Sequence, residues 1–322
     1  MRAIDVHVHP STAPFSYERR WGKEVAEFLP KYYRTEEKIR TDEEMAKEFR
    51  DLDIKALLIG WDGQAESGYD TSDTNDEVAG LIRKFPDVFI GGWAMIDPWK
   101  GKWAVKELER CVKELGLMGL KFQQSAQGFF PNDRRFYPLY EKCVELGAPV
   151  SFHTGTTGVG AGMPGGYGYK LKYTRPIPYI DDVAADFPEL TIIMIHPAWP
   201  WIDEQIAVLL HKANVFNDLS GWAPKYFPEN LKREINGRLQ DKFMYGSDYP
   251  EIPPKRWLDE FEAGGYKPEV VEKVLYKNAQ RILKLFKSFA GASDQAMRPG
   301  NILINNLNED SKGFVYQKRQ GG

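Results

Sequence analysis

The sequence predicts a closed (β/α)8 TIM barrel with an insertion after the first strand and an extension at the C-terminus. Three observations carry that prediction. Short apolar, β-branched-rich runs recur along the chain, and segments of helical period lie between them. Several of the runs are almost continuously apolar, as strands of a parallel sheet covered on both faces must be. Strand and helix alternate eight times, which is what a closed barrel needs in a chain of 322 residues. A doubly wound open sheet is the competing arrangement. No glycine fingerprint for a dinucleotide follows the first strand, which counts against its usual form.

The first strand is read at 3–9, AIDVHVH, and the second at 54–60, IKALLIG. The chain between them is far longer than the roughly 2–6 residues of an ordinary βα loop. It carries Phe15, Tyr17, Trp21, Phe28, Tyr32 and Tyr33 with Arg19, Arg20 and Arg34, an aromatic, arginine-bearing insertion expected to hang over the barrel mouth. Its last part, EEMAKEFRDLD, has helical period, as do TNDEVAGLIRKFPD before the third strand (88–94) and WAVKELERCVKELG before the fourth (117–122). RRFYPLYEKCVELG leads into the fifth strand, 148–153. Residues 154–176 follow it; they are glycine-rich with few large apolar side chains, and are expected to form a mobile lid. They lack the Gly-Lys-Ser/Thr ending of a phosphate cradle. YIDDVAADFPEL and IDEQIAVLLHKA separate the remaining strands, read at 190–196, 214–219 and 242–247. The barrel occupies 1–287. Residues 288–322, rich in Gly, Asn, Ser and charge, are read as an extended arm.

Composition narrows the function. Aromatics make up 13% of the chain, which indicates a packed core, and a net charge of −3 offers no electrostatic footprint for nucleic acid or an anionic membrane. No apolar run approaches the ~20 residues of a membrane span. A first strand beginning at Ala3 leaves no room for a secretory signal, and Cys111 and Cys143 both fall on helical segments as reduced packing residues. The expectation is a cytoplasmic protein acting on a small molecule.

Four of the five histidines, His7, His9, His153 and His196, fall at the C-terminal ends of predicted strands 1, 5 and 6, and Asp248 ends strand 8. His7 and His9 are two residues apart, so on a strand they leave from the same side. In a (β/α)8 barrel those ends converge on one mouth. A lone histidine at a strand end is more often hydrogen-bonded than metallated, and His211, on a helix, is read as a surface or packing residue. The convergence of three imidazoles and a carboxylate suits Zn2+, Mn2+ or Fe2+, without deciding among them.

With DVHVHP, VSFHTG, FPELTIIMIHPAWPWIDE, NVFNDLSGW, KFMYGSDYP and KNAQRILKL in that order, the chain resembles the amidohydrolase superfamily from about residue 3 to about residue 286. More closely it resembles the branch of aminocarboxymuconate semialdehyde decarboxylase and γ-resorcylate decarboxylase. The resemblance implies one divalent metal, Zn2+ first with Mn2+ or Fe2+ as alternatives, held by His7, His9, His153 and Asp248. It implies His196 as the acid/base beside metal-bound water, with Asp248 also counted as catalytic. Such a cation lowers the pKa of water from about 15.7 toward 7, within reach of an imidazole near 6.5.

The implied enzyme is a metal-dependent carboxy-lyase, decarboxylating an aromatic or unsaturated carboxylic acid without oxidation. The alternative is a metal-dependent hydrolase of a lactone, amide or similar carbonyl compound on the same site. Lys121 ends strand 4. In binuclear members of the superfamily a lysine there is carbamylated and bridges two metals, which would make His196 a second-metal ligand. In the mononuclear reading Lys121 either meets a substrate carboxylate as a point charge or sits at the barrel rim with no role. Trp199 follows His196 and is expected either to stack on a planar substrate or to bury a subunit contact. The branch also implies a homodimer. A non-catalytic binding barrel would have no use for His196. Which of Arg19, Arg20, Arg34 and Arg175 pairs with substrate stays open.

Overall fold

The computed structural model describes residues 1–285 apart from residue 72, so the arm read at 288–322 lies outside the described residues. Eight parallel strands pair in sequence order: β1 (Ala3–Val8), β2 (Ile54–Ile59), β3 (Phe89–Met95), β4 (Gly119–Phe122), β5 (Val150–His153), β6 (Ile192–Ile195), β7 (Val215–Asp218) and β8 (Phe243–Met244). The sheet closes on itself. Val6 N donates to Tyr245 O at 3.1 Å, Asp248 N to His7 O at 3.0 Å and His9 N to Tyr249 O at 2.9 Å. The closing seam therefore runs through the two histidines of β1 and the aspartate after β8.

Helices cover the outside. In chain order they are α1 (Tyr17–Trp21), α2 (Lys23–Tyr33), α3 (Asp42–Asp51), α4 (Gln64–Ser67), α5 (Thr74–Lys84), α6 (Lys102–Lys113), α7 (Gln124–Gln127) and α8 (Tyr137–Leu146). They continue with α9 (Tyr179–Asp186), α10 (Ile202–His211), α11 (Glu229–Ile235), α12 (Pro254–Glu262), α13 (Pro268–Glu272) and α14 (Asn278–Ile282). α3 begins where the sequence supplies a reciprocal cap: Thr41 accepts from Glu44 N and the Glu44 side chain accepts from Thr41 N. Its buried face, Met45, Ala46 and Phe49, joins the main apolar layer between strands and helices. A second cluster brings Ile4, Val6, Leu57, Ile59, Trp93, Ile193 and Met244 together with Ala279, Ile282 and Leu283. The barrel centre is a packed core rather than a pore.

A third cluster roofs the mouth. Tyr17, Trp21, Val25 and Leu29 of the insertion pack with Trp61, Met95 and Ala126, which follow or end β2, β3 and β4, and with Val159 and Met163 of the glycine-rich segment. That segment follows a defined path. Gly155 N donates to Thr174 O, and Thr174 Oγ1 donates back to Gly155 O at 2.6 Å, closing its base.

β8 is shorter than the 242–247 read from sequence. A Cβ at Gly246 would stand 2.9 Å from Ser220 Cβ and 3.0 Å from His7 Cβ, so the chain passes close to both and leaves the strand. Asp248 then turns into the left-handed region at φ 66°. His196, just past β6, does the same at φ 71°. Two non-glycine residues in this sparsely populated conformation, at the same end of the barrel, mark strain held by surrounding structure.

Candidate metal centre

His7 and His9 leave β1 where its register against β2 shifts between Asp5 and Val8. Their Nε2 atoms stand 3.3 Å apart, and Asp248 Oδ1 lies 3.3 Å from His7 Nε2 and 3.5 Å from His9 Nε2. Donors bound to one cation at ~2.1 Å sit roughly 3.0–3.4 Å from one another, so this triangle has the dimensions of one metal's ligand set. Against burial, Asp218 and Asp248 raise His7 above its ordinary pKa, so a bound cation would displace the proton that His7 Nε2 gives to Asp248. Burial, with the neighbouring charge of His7, holds His9 well below its ordinary pKa and therefore neutral. Asp248 is partly buried, and although that burial works against its charge, the His7 hydrogen bond and the charges of the surrounding histidines keep it ionised. The buried Nδ1 of His9 has no hydrogen-bond partner among the described residues.

Asp218, at the end of β7, organises the histidines. It was not singled out from the sequence, although NVFNDLSGW contains it. Its Oδ2 lies 3.1 Å from His7 Nδ1, and its Oδ1 accepts from Ser220 N at 3.0 Å and from Ser220 Oγ. Ser220 Oγ in turn stands 2.8 Å from His196 Nδ1. An ionised carboxylate only accepts, so His7 keeps a proton on Nδ1 toward Asp218; its Nε2, 3.3 Å from ionised Asp248, carries a second proton whose place a bound cation would take. The Ser220 hydroxyl donates to Asp218, so it accepts from His196 Nδ1–H. The lone pair of His196 is therefore on Nε2. Burial works against ionised Asp218, but His7 and His196 outweigh it and bring its pKa down to about 2.

Glycine is required beside this chain of hydrogen bonds. Gly221 has φ +73°, and a Cβ there would stand 2.5 Å from His196 Nδ1. The His196 ring centroid is 5.0 Å from that of His7 and 4.7 Å from that of His153. Burial brings His196 down to about 4, with His7 and Lys121 adding and Asp248 and Asp218 opposing.

His153 joins the cluster through its ring, but its nitrogens have other partners. Gln123 Nε2 donates to His153 Nδ1 at 3.2 Å, which places the proton on Nε2, 3.0 Å from Thr156 O. The triangle therefore consists of His7, His9 and Asp248, and ligation by His153 requires that one of these hydrogen bonds open. Gln123 also donates to Thr157 Oγ1 at 3.1 Å and accepts from Ser125 Oγ at 2.9 Å, a network with no signature in the sequence.

Lys121 is 3% exposed and has no hydrogen bond or ion pair among the described residues. Burial lowers it to about 8 against the pull of Asp248 and Asp218. Trp199 is 54% exposed, its ring 6.2 Å from that of Trp222, and His211 is exposed at the end of α10. The four arginines separate. Arg19 pairs with Asp73 and Glu77, Arg175 with Glu204, and Arg34 lies exposed just after α2. Arg20 is buried, and among the described residues it makes no ion pair and its Nε has no hydrogen-bond partner.

The chain belongs to the amidohydrolase family, which matches it over residues 4–285. 2-Amino-3-carboxymuconate-6-semialdehyde decarboxylase of Dictyostelium discoideum is 30% identical over 110 residues, 32% of this chain and 30% of that protein. The match thus spans under a third of that relative's length. Decarboxylase orsB of Emericella nidulans is 27% identical over 256 residues, covering 66% of this chain and 75% of that one. The crystal structure of dihydroxybenzoic acid decarboxylase from Polaromonas sp. JS666, with bound manganese and the inhibitor 2-nitroresorcinol, superposes with a TM-score of 0.60 at 19% identity. It covers 88% of this chain and 97% of the other, and shares the fold. No helix among the described residues is long and apolar enough to cross a membrane.

Proposed function

We propose that the chain is a metal-dependent non-oxidative decarboxylase of an aromatic or unsaturated carboxylic acid. The observation that carries this reading is the donor triangle of His7, His9 and Asp248 beside His196, whose free Nε2 is set by Ser220 and Asp218. The named decarboxylases among the relatives support it.

One divalent cation fits the triangle. Zn2+, Mn2+ and Fe2+ all accept imidazole and carboxylate donors, and the manganese of the Polaromonas enzyme supports a cation of this class. When bound, it supplies a fixed positive charge that orients the acid and favours electron density drawn toward its oxygens. The remaining work belongs to the chain. His196 takes up a proton at Nε2, from the substrate's own acidic group or from solvent, and delivers it to the carbon bearing the carboxylate. The new C–H bond interrupts conjugation at that carbon. The C–C bond to the carboxylate then breaks, its electron pair restores the conjugated system, and CO2 leaves. Asp218, acting through Ser220, holds the His196 ring in the tautomer that can do this, and the roof of Trp21, Trp61 and Met163 excludes water. Lys121 supplies positive charge for a substrate anion.

The reading includes a homodimer in the cytoplasm. The exposure of Trp199, with Tyr226 at 63%, supports a subunit contact there over stacking on the substrate.

The test is release of CO2 from a panel of hydroxybenzoic and unsaturated dicarboxylic acids by protein loaded in turn with Zn2+, Mn2+ and Fe2+. Release that requires metal and is lost in His196→Ala is the expected result. Hydrolysis of lactones or amides without CO2 release from any acid would overturn it in favour of the hydrolase.

A further inference from the structure

Arg20 lies on α1, the short first helix of the insertion. α1 is fastened to the barrel by its first residue: the Tyr17 hydroxyl donates to Glu251, and Tyr17 N donates to Glu37 Oε1 at 2.6 Å. Glu251 is three residues past Asp248, so this attachment ties α1 to the segment that carries one corner of the donor triangle. The Arg20 guanidinium stacks 4.4 Å from the Trp21 ring centroid and 5.2 Å from that of Tyr17. It is 4% exposed, its Nε has no hydrogen-bond partner, and it makes no ion pair among the described residues. The nearby carboxylates, Glu251 and Glu37, are occupied by Tyr17. The charge of Arg20 is felt at both His9 and Asp248.

An arginine in the interior without a carboxylate is costly, and packing on Trp21 and Tyr17 fixes its plane without neutralising it. A planar fork held in one orientation is prepared for a bidentate anion. Lys121 stands at the same mouth from β4, also buried, also unpaired, and also felt at His9 and Asp248. The mouth thus offers two cations from different elements that make no direct ion pair among the described residues, each with carboxylates near it but none in contact.

We propose that Arg20 clamps an acidic group of the substrate other than the reacting carboxylate, and hence that the substrate is a planar dianion, a dicarboxylate or a carboxylate with a second ionised group. This rests on the reading of the site as that of a carboxylic acid decarboxylase.

The experiment is calorimetric titration of metal-loaded protein with isophthalate and with benzoate, on wild type, Arg20→Met and Arg20→Lys, with thermal unfolding recorded for each. Wild type is expected to bind isophthalate at least about tenfold tighter than benzoate. In Arg20→Met that preference collapses to about threefold or less, benzoate binding changes little, and the unfolding midpoint holds or rises because a buried unpaired charge is gone. Arg20→Lys keeps an intermediate preference. An isophthalate preference that is absent in wild type, or that survives in Arg20→Met, overturns the proposal. So does an equal loss for both acids with a lower midpoint, which marks a packing role. If Arg20→Met does not fold, Arg20→Lys decides: a preference cut several-fold supports the clamp, and an unchanged one overturns it. CO2 release is scored separately. Loss of preference without CO2 release from any acid leaves the clamp standing and removes the decarboxylase, whereas CO2 release with binding indifferent to Arg20 removes only the clamp.

Discussion

Asp218 Oδ2 lies 3.1 Å from His7 Nδ1, and Oδ1 of the same carboxylate reaches His196 through Ser220. One buried charge therefore orients a candidate metal ligand and the proposed proton carrier together. Both histidines hold a proton on Nδ1, His7 directly and His196 through Ser220, because Asp218 can only accept.

Replacing that carboxylate should uncouple the two. In Asp218→Asn an N–H2 group must face either His7 Nδ1–H or the Ser220 hydroxyl, and one hydrogen bond inverts. Metal affinity is expected to fall about 10–100-fold, the usual consequence of removing a ligand's outer partner. Competition with a chelator measures it. An affinity within threefold of wild type would show that His7 keeps its tautomer without Asp218.

The ligand triangle makes a stoichiometric prediction. Wild type should hold about one metal per chain, His196→Ala should retain it, and His7→Ala, His9→Ala or Asp248→Ala should lose it, as read by elemental analysis. Two metals per chain, falling to one in His196→Ala and in Lys121→Met, would make Lys121 a bridging carbamate and His196 a ligand.

Gly221→Ala tests the seat of the His196 ring. The added methyl would overlap Nδ1 at 2.5 Å, and the residue would keep a positive φ. The cost in stability should be about 1–3 kcal/mol. Turnover should fall about 100-fold or more while metal content is unchanged, since the misplaced group is the proton carrier alone.

Asp5 predicts a pH dependence. Burial raises its carboxyl from 3.8 to about 6, although Ser247 and His7 donate to it. The folded state thus binds the proton more tightly than the unfolded chain, so the favourable contribution is complete below about 3.8 and is lost as pH rises through 6. Asp5→Asn keeps an acceptor for the His7 and Ser247 amides and gives its amine the Tyr245 hydroxyl. With chelator present throughout, urea unfolding should show the variant more stable than wild type by about 1–3 kcal/mol at pH 8 and equal at pH 4. Equal stability at both would mean that water or a local shift relieves Asp5.

The barrel, the level of each candidate ligand and the roofing insertion were legible in the sequence for one physical reason. Strand period and strand order are local properties, and in a closed parallel barrel they suffice to bring His7, His9, His196 and Asp248 to one end. The length and aromatic content of the chain after β1 likewise announced a covering element, since so many large rings need a surface to pack on.

Hydrogen-bond partnership was not legible, because it depends on contacts between elements far apart in the chain. Asp218 orients His7 across 211 residues, Gln123 meets His153 across 30, and Glu251 holds Tyr17 across 234. The arginines show the same division. Arg19 and Arg20 are adjacent in sequence and chemically identical. Arg19 found two carboxylates after α1 docked, and Arg20 was turned inward onto Trp21 with none. Composition and periodicity determined that this chain builds a barrel with histidines and an aspartate gathered at one mouth. The docking of one short helix decided which arginine was buried without an ion pair, because burial and pairing are properties of the packed molecule and not of the residue.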